Sequence, residues 1–287
     1  MVLLSDILAW LDFYAPFRYA ASWDQCGLQI GDPQASVKRI LVALDPCTAT
    51  LNEAQEQECQ CLVTHHPLLF QPIKAVRTDQ FPGNLVIEAV RKGIGVISAH
   101  TNLDAVKGGT NDLLGEMLAV NITGPLECDV AWQSEPRYGG MGRIGFLRQP
   151  MRFRALVEET VQRLGGMAVR AVGNGEKPVH RVALCSSSGG SLIEQAVSAG
   201  SDVFITGDVK YHDAQRAVEA GLALIDIGHF ASERIIVGPL AAFIRGRAAA
   251  RCDTLEVIEA AGERDPFWQP SLNQTIDQPF SQEAGIA

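Results

Sequence analysis

The chain has 287 residues, 47% apolar and 20% charged, with a formal net charge of -9. That apolar share supports a sizeable core, suits two modest lobes and argues against extended disorder. The acidic balance disfavours a surface that tracks the phosphates of long duplex nucleic acid, and no apolar run reaches the ~18 residues of a membrane span.

The apolar N-terminus carries Asp6 and Asp12 and no leading basic residues. It reads as an amphipathic helix capped at Ser5, not as a signal peptide. The aromatic and Gly-rich 23–31 (WDQCGLQIG) is expected to fold over a strand edge. Short apolar strands then alternate with helical patterns. In the first half these are strand 39–45 (RILVALD), helix 50–59, strand 61–65 (CLVTH), helix 84–92 and strand 95–100 (GVISAH). A polar stretch at 126–142, with Gly139 and Gly140, marks a boundary. Strand 181–186 (RVALCS), helix 192–199, strand 202–206 (DVFIT), helix 211–220, strand 223–228 (ALIDIG) and a long helix from 232 to about 245 follow. Most strands are continuous apolar runs, as expected when helices cover both faces of a sheet.

The fold class is therefore α/β: two related lobes, residues 1–127 and 128–262, read as mixed sheets flanked by helices. Residues 263–287 read as a polar surface tail or an arm on a neighbouring subunit. Internal similarity supports two related lobes. VALDPCTATLNEAQEQECQCLVTHH parallels VALCSSSGGSLIEQAVSAGSDVFITGD, and each half continues to a strand ending in a histidine with an acid four residues on, HTNLD and HFASE. The seven scattered cysteines contain no Cys-x2-Cys pair, which fits free thiols in a reducing cytoplasm.

Candidate chemistry gathers where strands end. His65 and His66 leave a buried strand just before Pro67, where the backbone bends and adjacent imidazoles can diverge towards two ions. Asp104 follows the strand ending at His100; alone it reads better as a turn or capping residue before Gly108 and Gly109 than as a ligand. His229 and Glu233 lie four apart, on one face of any helix that starts there, although Glu233 or Ser232 could merely cap that helix. Three histidines and two carboxylates make a nitrogen and oxygen ligand set for two divalent metal ions, suiting Fe, Zn, Mn, Co or Ni alike. The expected chemistry is hydrolysis of a nucleotide or small polar substrate by metal-bound hydroxide. His100 and His212 are the candidate catalytic proton carriers, His212 reading equally as a partly exposed residue near a helix start. The turns 186–190 (SSSGG) and 206–208 (TGD) are candidate anion sites through their backbone N–H groups. A non-catalytic metal-binding scaffold or regulator is the alternative.

Nearly the whole chain resembles the Nif-three-like dinuclear-metal proteins, also called GTP cyclohydrolase I type 2 homologues. The resemblance rests on WDQCGLQIGDP, THHPLLF, SAHTNLDAVKGGTND, TGDVKYHDAQRAVEAG and IGHFASE. It implies two metals on His65, His66, Asp104, His229 and Glu233, between two α/β lobes of a toroidal homohexamer. Longer relatives carry an inserted domain between the lobes; the interval 127–177 is too short for one. Under the family's name, the reaction would open a guanine ring and release formate.

Overall fold

The computed structural model describes residues 1–135 and 137–267; the rest of the expected tail, 268–287, lies outside the described residues. The chain opens with β1 (Val2–Leu3), α1 (Leu4–Tyr14), β2 (Gly27–Ile30), β3 (Ser36–Val37), β4 (Arg39–Ala43), α2 (Thr48–Glu56) and β5 (Cys61–Thr64). It continues through α3 (Gly83–Arg91), β6 (Gly95–Ser98), α4 (Thr101–Ala105), α5 (Thr110–Met117), β7 (Asn121–Glu127), β8 (Met141–Arg152), α6 (Phe153–Arg163) and β9 (Arg170–Val172). There follow β10 (Pro178–Ser188), α7 (Ile193–Ser198), β11 (Val203–Gly207), α8 (Tyr211–Glu219), β12 (Ala223–Asp226), α9 (His229–Glu233), α10 (Val237–Ala250) and β13 (Glu256–Glu259).

Two mixed sheets result, in the orders β13-β4-β5-β6-β2 and β7-β8-β10-β11-β12-β9. In the first, β4, β5 and β6 run parallel and β2 closes the edge antiparallel. In the second, β10, β11 and β12 run parallel between antiparallel β8 and β9. The parallel strands are buried along their central residues because helices cover both faces. On the first sheet, Ile7 and Leu11 of α1 pack with Leu240 and Ile244 of α10 against Ile40, Val42 and Val63. Leu51 of α2 and Leu85 of α3 cover the opposite face. On the second, Leu114 of α5 and Phe153 of α6 cover one face, and Ile193 of α7 and Ala217 of α8 the other. The two-lobed α/β reading holds.

Packing does not follow the linear boundaries expected at 127 and 262. β7 pairs with β8 in the second sheet, and β13 returns to pair with β4 in the first. The chain thus leaves the first lobe after α4 and comes back with α10, whose apolar side completes the first core. Local patterning cannot show this, because β7 and β13 are edge strands whose partners are chosen by tertiary contact. Two helix starts also differ. Asp6, not Ser5, satisfies the N-terminus of α1 by accepting the Leu3 N–H at 2.9 Å. The expected helix from 232 is two: α9 ends at Glu233, a 3-10 turn spans Arg234–Ile236, and α10 takes Pro239 in its first turn, where no intrahelical donor is lost.

The crossing between lobes is pinned by Arg143 of β8, which is 2% exposed. Its guanidinium donates to the carbonyls of Gly140 (2.7 Å), Gly142 (2.8 Å) and Val106 (3.1 Å) and to both oxygens of Asp112 (2.7 and 3.0 Å). Removing it strands a half-buried carboxylate and three carbonyls. Arg143→Met is therefore expected to cost about 3–5 kcal/mol of unfolding free energy, read as a lowered denaturant midpoint, while the exposed Arg148→Met leaves the midpoint unchanged.

Candidate metal centre

The carboxyl ends of the parallel strands of both sheets face one cleft, the place where open α/β sheets gather ligands. Strands β4, β5 and β6 end one or two residues sooner than their apolar runs suggest. Asp45, His65, His66 and His100 therefore sit in the exits. From the other lobe come Ser187 at the end of β10, Asp208 after β11 and His229 after β12. Gly228, at φ +80°, turns the chain directly into α9 and sets His229 and Glu233 one turn apart. Ser187 and Asp208 hold left-handed φ values of +63° and +52°. Such conformations cost about 1–3 kcal/mol each and persist where the surroundings fix them. Gly207 permits the close approach: a Cβ there would lie 2.8 Å from the Gly228 carbonyl carbon.

The ring orientation of three histidines follows from their partners, which can only accept. His65 Nδ1–H donates to the Ala99 carbonyl at 2.9 Å. His66 Nδ1–H donates to Asp45 Oδ1 at 2.7 Å, and His229 Nδ1–H to Asp208 Oδ2 at 2.8 Å. All three therefore present Nε2 to the cleft, the arrangement in which carboxylate or carbonyl partners orient metal-ligating imidazoles. His65 Nε2 lies 3.6 Å from Asp104 Oδ1 and 3.4 Å from Glu233 Oε1. His66 Nε2 and His229 Nε2 lie 2.8 and 3.0 Å from Glu233 Oε2 and 3.2 Å from each other.

These separations suit a cation. Metal–ligand bonds of about 2.0–2.2 Å place neighbouring donors roughly 3–3.5 Å apart. His65 with Asp104 and Glu233, and His66 with His229 and Glu233, each form a group that could hold a metal ion, with one Glu233 oxygen facing each group. His65 Nε2 and Glu233 Oε1 are buried and have no hydrogen-bond partner among the described residues. A buried lone pair facing two carboxylate oxygens is costly unless positive charge lies between them.

Protons on the imidazoles are one source of such charge, and the surroundings favour them. Burial would lower the pKa of His65, but the charges of Glu233 and Asp104 outweigh it and raise it. Burial acts likewise on His66 and His229, yet hydrogen bonds and charge from Asp45, Glu233 and Asp208 push them up to about 10 and about 9. Burial also opposes the charge on Glu233, but His65, His229 and His66 together hold its carboxyl well below the usual range. Asp104, fully enclosed and beside Glu233, is raised, chiefly by burial, even though Thr110 donates to it.

His100 completes a third group with His65 and His66. Its Nδ1–H donates to Asp24 Oδ1 at 2.9 Å, so its Nε2 also faces inward. Burial would raise Asp24, but His100, Thr101 and Cys26 hold it far below the usual carboxylate range. The cleft, about 640 Å³, has Trp23 and Phe70 on one side and Ser187, Ser188 and Ser191 on the other. His212 lies elsewhere: it is exposed on α8, hydrogen-bonds Gln215 at 3.0 Å and lines a separate groove with Ile193 and Glu194. The 186–190 turn has less to offer an anion than its glycines suggest. The N–H groups of Ser186, Ser187 and Gly189 already donate to Asn111, Ser232 and Thr206.

The sequence profile of Duf34/NIF3 (NGG1p interacting factor 3) matches residues 2–266. The chain belongs to the Duf34/NIF3 family. A Clostridium perfringens protein named GTP cyclohydrolase 1 type 2 homolog is 33% identical over 265 residues, covering 92% of this chain and 98% of that relative. A Streptomyces coelicolor protein of the same name is 35% identical, covering 80% and 81%. Among solved structures, a Bacillus cereus protein related to NIF3 matches in fold with a TM-score of 0.87 at 24% identity, covering 94% of this chain and 99% of that one. A Staphylococcus aureus protein matches with a TM-score of 0.82 at 27% identity, over the same shares.

In this NIF3 chain, the orienting acids Asp24, Asp45 and Asp208 escape sequence reasoning as individuals. Their one local signal is shared: Asp45 and Asp208 directly follow an apolar strand. For a metal ion held by His66, His229 and Glu233, Asp208→Asn is expected to weaken binding about ten- to a hundredfold, measured by competition with a chromophoric chelator; an unchanged affinity would show that Asp208 does not orient His229.

Proposed function

We propose that the chain is a metal-dependent hydrolase holding two divalent cations, one on His65, Asp104 and Glu233 and one on His66, His229 and Glu233. The observation that carries this reading is Glu233 itself: a buried carboxylate with one oxygen facing each cluster, its Oε1 opposite His65 Nε2, neither with a hydrogen-bond partner among the described residues, and its Oε2 opposite His66 Nε2. Carboxylates bridge paired cations because each oxygen has its own lone pairs, which one imidazole nitrogen cannot offer. When bound, paired ions supply Lewis acidity at a substrate oxygen and lower the pKa of water towards neutrality.

The chain's own residues supply the rest. His100, held by Asp24, presents Nε2 beside the cluster and is placed to take or return a proton there. Asp24 fixes the tautomer and steadies the imidazolium that forms. The cleft is of small-molecule size. The exposed rings of Trp23 and Phe70, 5.7 Å apart edge to face, offer a planar substrate an aromatic wall, and the serine hydroxyls offer it hydrogen bonds. The relatives' name makes a guanine nucleotide the first substrate to try. We also take the working form to be a homo-oligomer, a hexamer by the family resemblance, and its compartment to be the cytoplasm, which suits seven free thiols. No helix among the described residues is long and apolar enough to cross a membrane.

The test is turnover across nucleotides and phosphoesters with and without chelation, with metal content measured in parallel. Metal-loaded protein is expected to turn over at least one substrate. Glu233→Ala should remove bound metal and lower turnover by at least about a hundredfold while the assembly persists. Stoichiometric metal with no turnover anywhere on the panel would contradict the hydrolase reading and leave metal binding standing.

A further inference from the structure

We propose that Glu263 is a positioning residue for the half of the centre built on His66, His229 and Glu233. The inference rests on the metal-binding reading above. Glu263 falls where the sequence suggests a polar tail, yet its side chain is 2% exposed. Its Oε1 accepts the backbone N–H groups of both Leu44 and Asp45, each at 2.7 Å. That dipeptide holds His66 twice: the Leu44 carbonyl accepts the His66 N–H at 2.9 Å, and Asp45 Oδ1 accepts its Nδ1–H at 2.7 Å. The backbone and the ring of one candidate ligand therefore both hang from a turn whose two N–H groups end on a single carboxylate oxygen.

The other oxygen faces the residue that follows Glu233 in the chain. Glu263 Oε2 lies 3.3 Å from Arg234 Nε, and Arg234 directly follows Glu233. Arg234 Nη2 also donates to the Ala260 carbonyl at 2.8 Å. Glu263 is itself held in place. Ala260 N–H donates to the Val42 carbonyl, extending β13, and Glu53 of α2 accepts the N–H groups of Ala261 and Gly262 at 2.8 and 3.0 Å. One buried acid thus links the loop that orients His66 to the turn that leaves Glu233. Ligating groups tolerate only about 0.5 Å of displacement before a site loosens, so slack in this link falls on His66. His65 and Asp104 are oriented through Ala99 and Thr110 and share with the linked cluster only Glu233, whose own carboxylate is held by the three imidazoles.

The experiment is a Co(II) titration of the full chain, followed by ligand-field absorbance and competing chelator. Wild-type protein is expected to take two equivalents. Glu263→Ala should weaken one equivalent at least about tenfold and leave the other within error. Glu263→Asp, one methylene short of the Leu44 and Asp45 N–H groups, should weaken the same equivalent. Glu263→Gln keeps an oxygen for both N–H groups but turns an amide NH2 towards Arg234; because the His66 arm is kept, it should weaken that equivalent less than Glu263→Ala does, which also guards against a variant that fails to fold. Because Glu263 acts in part through Asp45, the double variant Glu263→Ala, Asp45→Asn should lose less affinity than the product of the two single losses. Equal loss of both equivalents, full retention in Glu263→Asp, or multiplied effects in the double variant would overturn the proposal. Failure of the wild-type chain to bind cobalt would overturn the metal reading itself, and this inference with it.

Discussion

Glu233 carries a carboxylate that is entirely withdrawn from water and faced by three imidazole nitrogens. A bare charge so placed is sustained only by opposite charge at contact distance. Each histidine is locked with Nδ1–H pointing away from the centre, so each can neutralise Glu233 through Nε2 by carrying a proton or by sharing a cation with it. The rest of the architecture serves this point. Two sheets bring their parallel strand ends together, and short, strained exits aim the side chains. The chain crosses between lobes so that both cores support the same cleft.

The lobes solve the same local problem in related ways. β4, β5 and β6 answer to β10, β11 and β12, and each series leads to a five-residue helix, α4 or α9, that delivers an acid to the centre. His100 with Asp104 and His229 with Glu233 are the corresponding pairs, and each of these histidines gives its Nδ1–H to an aspartate, Asp24 or Asp208. The correspondence breaks where the first half reads THH and the second TGD. The first lobe places two imidazoles at that exit. The second places a glycine for close backbone approach and the aspartate that orients His229. His100 is thereby left beside the cluster with an inward Nε2 and an acid behind it.

Much of this was legible in the chain alone, for a physical reason. Parallel strands buried on both faces write themselves as continuous apolar runs, and the first polar residues after such runs fall in the crevice. That placed His65, His66, Asp104, His229 and Glu233 together. The same reasoning over-reached at His212, which sits at a helix start on the outer face of the second lobe, away from the strand exits. It under-reached at Asp24, Asp45 and Glu263, because an orienting acid has no local pattern of its own; each acts on a residue 21 to 219 positions away in the chain. Edge strands β7 and β13 were missed for a similar reason, since their partners lie outside any sequence window.

The most direct test of the account is anomalous diffraction from crystals of the metal-loaded protein, recorded on either side of the absorption edge of the bound metal. The expected result is two peaks, one bounded by His65, Asp104 and Glu233 and the other by His66, His229 and Glu233, with a separate Glu233 oxygen on each. A cleft without anomalous signal, or a lone peak that leaves Glu233 uncoordinated, would contradict it.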